Sequence, residues 1–147
     1  MPNNTLDYFS KPISKEPTKL AMIFTLNPRD SKKGRLFIPI FDQRFPLVFD
    51  VKYAYISKFL ELNNISGNHY HLIKQEILIP LNGKYEITLE QVETKVQETI
   101  LMNSDNNQAI YIPVKISHKV KSLESSGVML VLASNPSSEQ DEIEYNL

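Results

Sequence analysis

The chain of 147 residues contains no cysteine. This excludes a disulfide framework and a thiolate zinc site, so any bound metal must be held by His, Asp or Glu. It also lacks a charge imbalance, with 16 basic against 17 acidic residues. No strongly basic face for nucleic acid is therefore expected. No apolar run approaches membrane-spanning length. The first 19 residues carry Pro2, Pro12 and Pro17 and lack the apolar core of a signal peptide. A soluble, cytoplasmic protein with no nucleic-acid or membrane partner is expected. There is no internal repeat, no low-complexity segment and no convincing long helix. Histidine is scarce: His69, His71 and His118 are the only three.

The length predicts one domain with a real core. Residues 1–18 read as an N-terminal arm, in which Pro12 and Pro17 discourage regular structure. Residues 19–147 read as the domain. Lys19 to Leu26 is rich in strand formers and ends at the turn signal Asn27-Pro28. Arg35 to Phe41 is a second strand, with Pro39 suggesting an edge. Asp42 to Phe45 turns the chain, and Val48 to Leu60 is a longer strand region. Leu62 to Asn68 reads as a loop. Glu76 to Leu81 is an apolar strand, and Asn82-Gly83 signals a two-residue hairpin. Tyr85, Ile87 and Leu89 alternate with Glu86, Thr88 and Glu90, a half-buried strand. Val92 to Met102 continues as strand. Ala109 to Ile112 is a short strand stopped by Pro113. Val114, Ile116, His118 and Val120 alternate with polar residues, which places His118 on the inward face. Val128 to Ala133 is a continuous apolar run, read as a buried strand. Asn135 to Leu147 is an acidic tail with room for one helical turn. Eight to ten short strands punctuated by turns predict an all-β sandwich or barrel.

Residues two apart on a strand share a face, so His69 and His71 can aim their rings into one cavity. With Glu76 and His118 they supply three imidazole nitrogens and a carboxylate oxygen. That mixed set suits a divalent metal such as Zn, Fe, Mn or Ni. Glu76 lies an odd number of residues from His71, so Leu72 to Gln75 must turn or bulge for both to face inward. For one histidine, a buried ring satisfied by hydrogen bonds is the plainer reading. Three together, with no other histidine in the chain, favour a site.

The run from Gly67 to Gly83 resembles the first cupin motif at His69, His71, Glu76 and Gly83, with Asn63 at the position of its early glycine. Pro113 to His118 resembles the second motif, with Lys115 in place of its glycine. A narrower resemblance covers most of the chain. Gly34-Arg35-Leu36, Phe45-Pro46, Tyr53 to Ile56, Gly67-Asn68-His69-Tyr70-His71, Leu130 to Ser134 and the loosely matching Asp141-Glu142-Ile143 are similar to the small cupins of the WxcM-like type. That family includes nucleotide-sugar 3,4-ketoisomerases. Ser66 stands where the family carries arginine. Glu76 stands where its ketoisomerases, which are not generally metal-dependent, often carry glutamine.

The resemblance implies a single-domain cupin, a double-stranded β-helix or jelly-roll barrel, acting as a homodimer. It implies 3,4-ketoisomerisation of a dTDP-linked 4-keto-6-deoxy sugar for surface polysaccharide synthesis. The partner is then a nucleotide sugar, and no organic cofactor is expected. On that chemistry His69 and His71 are candidate bases. Tyr55 or Tyr53 would donate a proton or contact substrate, and Arg35 or Lys52 would meet phosphate oxygens. A metal-bound imidazole cannot also be a free base, so the ligand and base roles of His69 and His71 compete. Two other classes fit the same residues: a metal-dependent oxygenase cupin, and a non-catalytic sugar-binding cupin. A dimer is also expected on the ground that Leu20 to Leu26 would otherwise leave a sheet edge exposed.

Overall fold

The computed structural model describes residues 12–31, 33–41 and 48–147. The turn expected at Asp42 to Phe45, the Phe45-Pro46 pair and residues 1–11 of the expected arm lie outside the described residues.

The expectation of an all-β chain holds. Two antiparallel sheets face one another. The larger has the order β1 (Ser14–Pro17), β2 (Met22–Thr25), β10 (Gln108–Ile112), β7 (Glu76–Asn82), β12 (Gly127–Ala133) and β5 (Tyr53–Phe59). The smaller has the order β13 (Ile143–Glu144), β6 (Ile65–Tyr70), β11 (Ile116–Ser122), β8 (Lys84–Gln91) and β9 (Gln97–Asn103). A short ribbon joins β3 (Arg29–Asp30) to β4 (Leu36–Phe37). This is the jelly-roll arrangement that the cupin resemblance implies. No helix among the described residues is long and apolar enough to cross a membrane.

The pattern of each strand follows from what covers it. β8 alternates: Tyr85, Ile87 and Leu89 are fully buried between the sheets, while Glu86 and Thr88 are only partly covered. They pack with Leu78, Ile110, Met129 and Val131 in the main core. Each such side chain contributes about 1.5–3 kcal/mol by leaving water. The larger sheet is covered on its outer face as well. There Ile77, Ile79 and Leu132 pack with Phe24 and Leu26 beneath Ile40, Phe49 and Val51. Burial on both faces is why β7 and β12 are continuous apolar runs.

Several local expectations are corrected. Asn82-Gly83 makes no hairpin, because β7 and β8 belong to different sheets. Gly83, at φ +101°, turns the chain from one sheet into the other. The Tyr85 hydroxyl donates to the Asn82 carbonyl at 2.7 Å and closes that corner. Residues 92–96 are not strand: Lys95 N–H donates to Gln91 O, and Lys95 takes φ +65°. The expected strand from Arg35 to Phe41 shrinks to two paired residues. Leu62 to Asn68 is only partly loop, since β6 begins at Ile65.

Ser14–Pro17 pairs with β2. Proline is tolerated at the end of an edge strand, where no ladder N–H is missed. Both edges of β2 are thus occupied, by β1 and by β10. The edge that Leu20 to Leu26 was expected to leave open is closed within the chain.

Candidate active site and metal centre

The site lies between the two sheets. β6 brings His69, β11 brings His118, and the two are cross-strand partners. Their rings meet edge to face with centroids 4.8 Å apart. The approach depends on Gly67, at φ +94°: a Cβ there would overlap the main-chain oxygen of His118. The ladder also shifts register between His118 and Lys119, a bulge that re-aims the histidine. β6 ends at Tyr70, so His71 sits just past it and Glu76 opens β7 in the opposite sheet. The turn expected between them is present. Asp141 fixes it, accepting the N–H groups of Leu72, Ile73 and Lys74 on its carboxylate, each at 2.9 Å.

His69, His71, Glu76 and His118 converge, with one potential ligand atom from each lying within 4.8 Å of the others. Glu76 Oε1 is 3.4 Å from His71 Nε2 and 3.3 Å from His118 Nε2. His71 donates from Nδ1 to the main-chain oxygen of Asp141 at 2.9 Å. Its Nε2 is buried without a hydrogen-bond partner among the described residues. A buried polar atom left unpaired beside two imidazoles and a carboxylate fits a divalent ion, and these four residues would hold it.

Tyr55, on β5, reaches across to donate its hydroxyl to Glu76 Oε2 at 3.3 Å. Burial raises the Tyr55 pKa, and the neighbouring Glu76 charge and hydrogen bond raise it further, so the phenol keeps its proton. Burial lowers His69 to about 4, and the nearby His118 and His71 add to the effect. Burial pushes the Glu76 carboxyl up, but the imidazole contacts of His118 and His71 and the Lys74 charge prevail and hold it well below the usual range.

A cavity of about 120 Å³ opens above this cluster. His69, His118, Glu76 and Tyr55 form its polar side, and Leu78 and Val131 lie on its apolar side. His71 does not reach the lining and lies behind it. Of the other residues singled out in the sequence, Tyr53 packs its ring on Tyr55 with centroids 5.6 Å apart. Lys52 is exposed at the start of the same segment, its N–H bonded to Ala133 O. Arg35 is exposed beside the β3–β4 ribbon, its guanidinium over the Phe37 ring. None of these three lines the cavity. Sequence reasoning missed two residues that organise the site, Asp141 and Lys74. Asp141 was visible only as part of the loosely matching Asp141-Glu142-Ile143 tail, with no role assigned to it, and Lys74 only as one polar residue in the turn.

Comparison with solved structures gives the same fold. A 3,4-ketoisomerase from Thermoanaerobacterium thermosaccharolyticum, solved as a double mutant with TDP, is 25% identical. The match covers 86% of this chain and 88% of that one, with a TM-score of 0.73. A TDP-fucose-3,4-ketoisomerase from Campylobacter jejuni is 21% identical over 84% of this chain and 87% of its own, with a TM-score of 0.72. A dTDP-6-deoxy-D-glucose-3,5-epimerase from Legionella pneumophila, solved with dTDP-4-keto-L-rhamnose, is 12% identical over 89% and 76%, with a TM-score of 0.76. No curated protein matches the sequence significantly. The WxcM-like, C-terminal family matches residues 18–146, nearly the whole chain, and the protein belongs to that family.

Proposed function

We propose that this protein is a nucleotide-sugar isomerase that interconverts 4-keto and 3-keto forms of a dTDP-linked 6-deoxy sugar. The observation that carries the reading is His69: an imidazole on the cavity wall, neutral at physiological pH, lining the same cavity as a protonated Tyr55. A structural neighbour at 25% identity is a 3,4-ketoisomerase solved with TDP, which supports the same class.

The chemistry follows from the carbonyl. A ketone at C4 acidifies the C3–H bond. His69 takes that proton, the electron pair forms the C3–C4 double bond, and O4 takes up a proton to complete the enediol. A proton then arrives at C4, the O3 proton is lost, and the ketone is at C3. Tyr55 is the donor within reach of the same space. Glu76, between His71 and His118, fixes the rings behind the base. A divalent ion held by His69, His71, Glu76 and His118 would instead supply Lewis-acid polarisation of the substrate carbonyl, and His69 would then not be free to act as the base.

The deciding experiment incubates tag-free protein with dTDP-4-keto-6-deoxyglucose in D2O and follows it by NMR, with metal content measured on the same sample. Conversion to a 3-keto product with deuterium incorporation supports the proposal. Stabilisation by the sugar nucleotide without turnover would instead identify a binding protein. The three-histidine, one-glutamate set favours an iron oxygenase as the second reading. Iron- and oxygen-dependent turnover would identify that class, since isomerisation consumes neither.

We also propose a cytoplasmic homodimer supplying surface polysaccharide synthesis, in which residues 1–18 act as an arm and 19–147 as the catalytic domain. Support for the dimer comes from Ile13, exposed next to the edge strand β1. A monomeric mass by light scattering would refute it.

A further inference from the structure

Lys74 is a buried lysine that the isomerisation described above does not use. Its side chain is 2% exposed. Its main-chain N–H is anchored on Asp141 Oδ2 at 2.9 Å, so the position of the residue is fixed. Its ammonium donates to Ser137 Oγ at 3.2 Å and stands 3.7 Å from Glu76 Oε2. The Tyr55 hydroxyl donates to that same oxygen. The other oxygen, Oε1, faces the Nε2 atoms of His71 and His118. The carboxylate is therefore divided, with one oxygen serving the ammonium and phenol and the other serving the imidazoles.

A buried ammonium is costly unless an opposite charge compensates it, and a buried carboxylate is costly for the same reason. Here each compensates the other. The arrangement has a consequence for metals. A divalent ion among the four candidate ligands would sit on the far side of the Glu76 carboxylate from a fixed positive charge. In a poorly solvated interior, like charges so placed repel strongly. Glu76 would also have to share its negative charge between two cations.

We propose that Lys74 is a positioning residue that acts as the resident cation of this site. It orients Glu76 so that Oε1 faces the imidazoles, and it weakens the hold of the cluster on divalent ions. His69 is thereby left free to act as a base. The base role of His69 rests on the isomerase reading, whereas the charge balance between Lys74 and Glu76 does not.

The test uses Co2+ titration of tag-free protein, read by visible absorption, together with thermal unfolding in chelator. The variants are Lys74→Met, Glu76→Gln and the double substitution. Lys74→Met should bind Co2+ at least about tenfold more tightly than the unsubstituted protein, because a buried like charge has been removed. Binding no tighter than that of the unsubstituted protein would overturn the proposal. In unfolding, Lys74→Met should lower the Tm and the double variant should recover most of the loss, because neither partner is then left unpaired. A double variant no more stable than Lys74→Met would show the two residues to be uncoupled and would also overturn it. Both readouts are independent of turnover, so failure of the isomerase reading and failure of this one are distinguishable.

Discussion

The Nδ1 of His71 lies 2.9 Å from the main-chain oxygen of Asp141. A carbonyl can only accept, so Nδ1 carries a proton, and Nε2 is the atom turned towards Glu76, 3.4 Å from its Oε1. The same Asp141 collects three N–H groups of the turn after His71 on its carboxylate. One residue from the C-terminal segment thus sets both the orientation of the His71 ring and the path by which the chain crosses from one sheet to the other.

Asp141→Ala should destabilise the protein by about 2–4 kcal/mol, because it removes a charged acceptor from three N–H groups at a partly buried turn. Asp141→Asn keeps one acceptor oxygen and should lose about half as much. Urea unfolding of the three proteins checks this. Equal stability of all three would show that water replaces the carboxylate without cost.

His69→Asn should lower kcat by about 10²–10⁴, the range that general-base catalysis supplies, with little change in KM. His71 lies behind the cavity wall, so His71→Asn should act by disturbing Glu76 and the turn. Its thermal stability should fall along with its activity, whereas that of His69→Asn should not. Solvent exchange at C3 of a bound keto sugar, followed by NMR, separates the two.

The pH dependence of stability has a definite sign. His69 falls from 6.5 in an unstructured chain to about 4 in the fold. Between those values the unfolded chain binds a proton that the folded one does not, so stability declines as pH drops from about 6.5 to about 4. Glu76 adds a second component, because its folded value lies well below the ordinary 4.5. Its contribution is present above about pH 4.5 and is lost as pH falls through the folded value. Urea midpoints measured from pH 7 to pH 4 should fall, and the slope should flatten in His69→Asn. The acid limb of kcat/KM should likewise lie well below 6.5.

Lys115 takes φ +64° and Asn63 takes φ +67°. These are the two positions where this chain departs from a glycine of the cupin motifs. The backbone keeps the glycine conformation although the side chains have changed. Asparagine tolerates the left-handed region, but lysine is strained there. Lys115→Gly should therefore stabilise the protein by about 0.5–1 kcal/mol, even after losing the exposed ion pair with Glu93. Thermal unfolding of the variant checks this, and a lower Tm would show that the side chain outweighs the strain.

The all-β class, the inward aim of His118 and the turn between His71 and Glu76 were legible because strand geometry has a period of two. A residue's face follows from its parity, and a break in parity demands a turn. Asn82-Gly83 was misread for a related reason: a local turn signal does not say whether the next strand pairs with the last one or crosses to another sheet. The continuous runs of β7 and β12 announced burial but not what covered them.

The sequence by itself determined which side chains could meet: three histidines and Glu76, at positions whose parity points inward or demands a turn. Only the tertiary structure decided which of them lines the cavity and which lies behind it. It alone brought Asp141, 70 residues away in the chain, onto the turn after His71, and it alone placed the Lys74 ammonium on the far oxygen of Glu76. Parity is a property of neighbours along one strand. The balance of charge at a buried site depends on distances in space, and those arise only when the sheets close on one another.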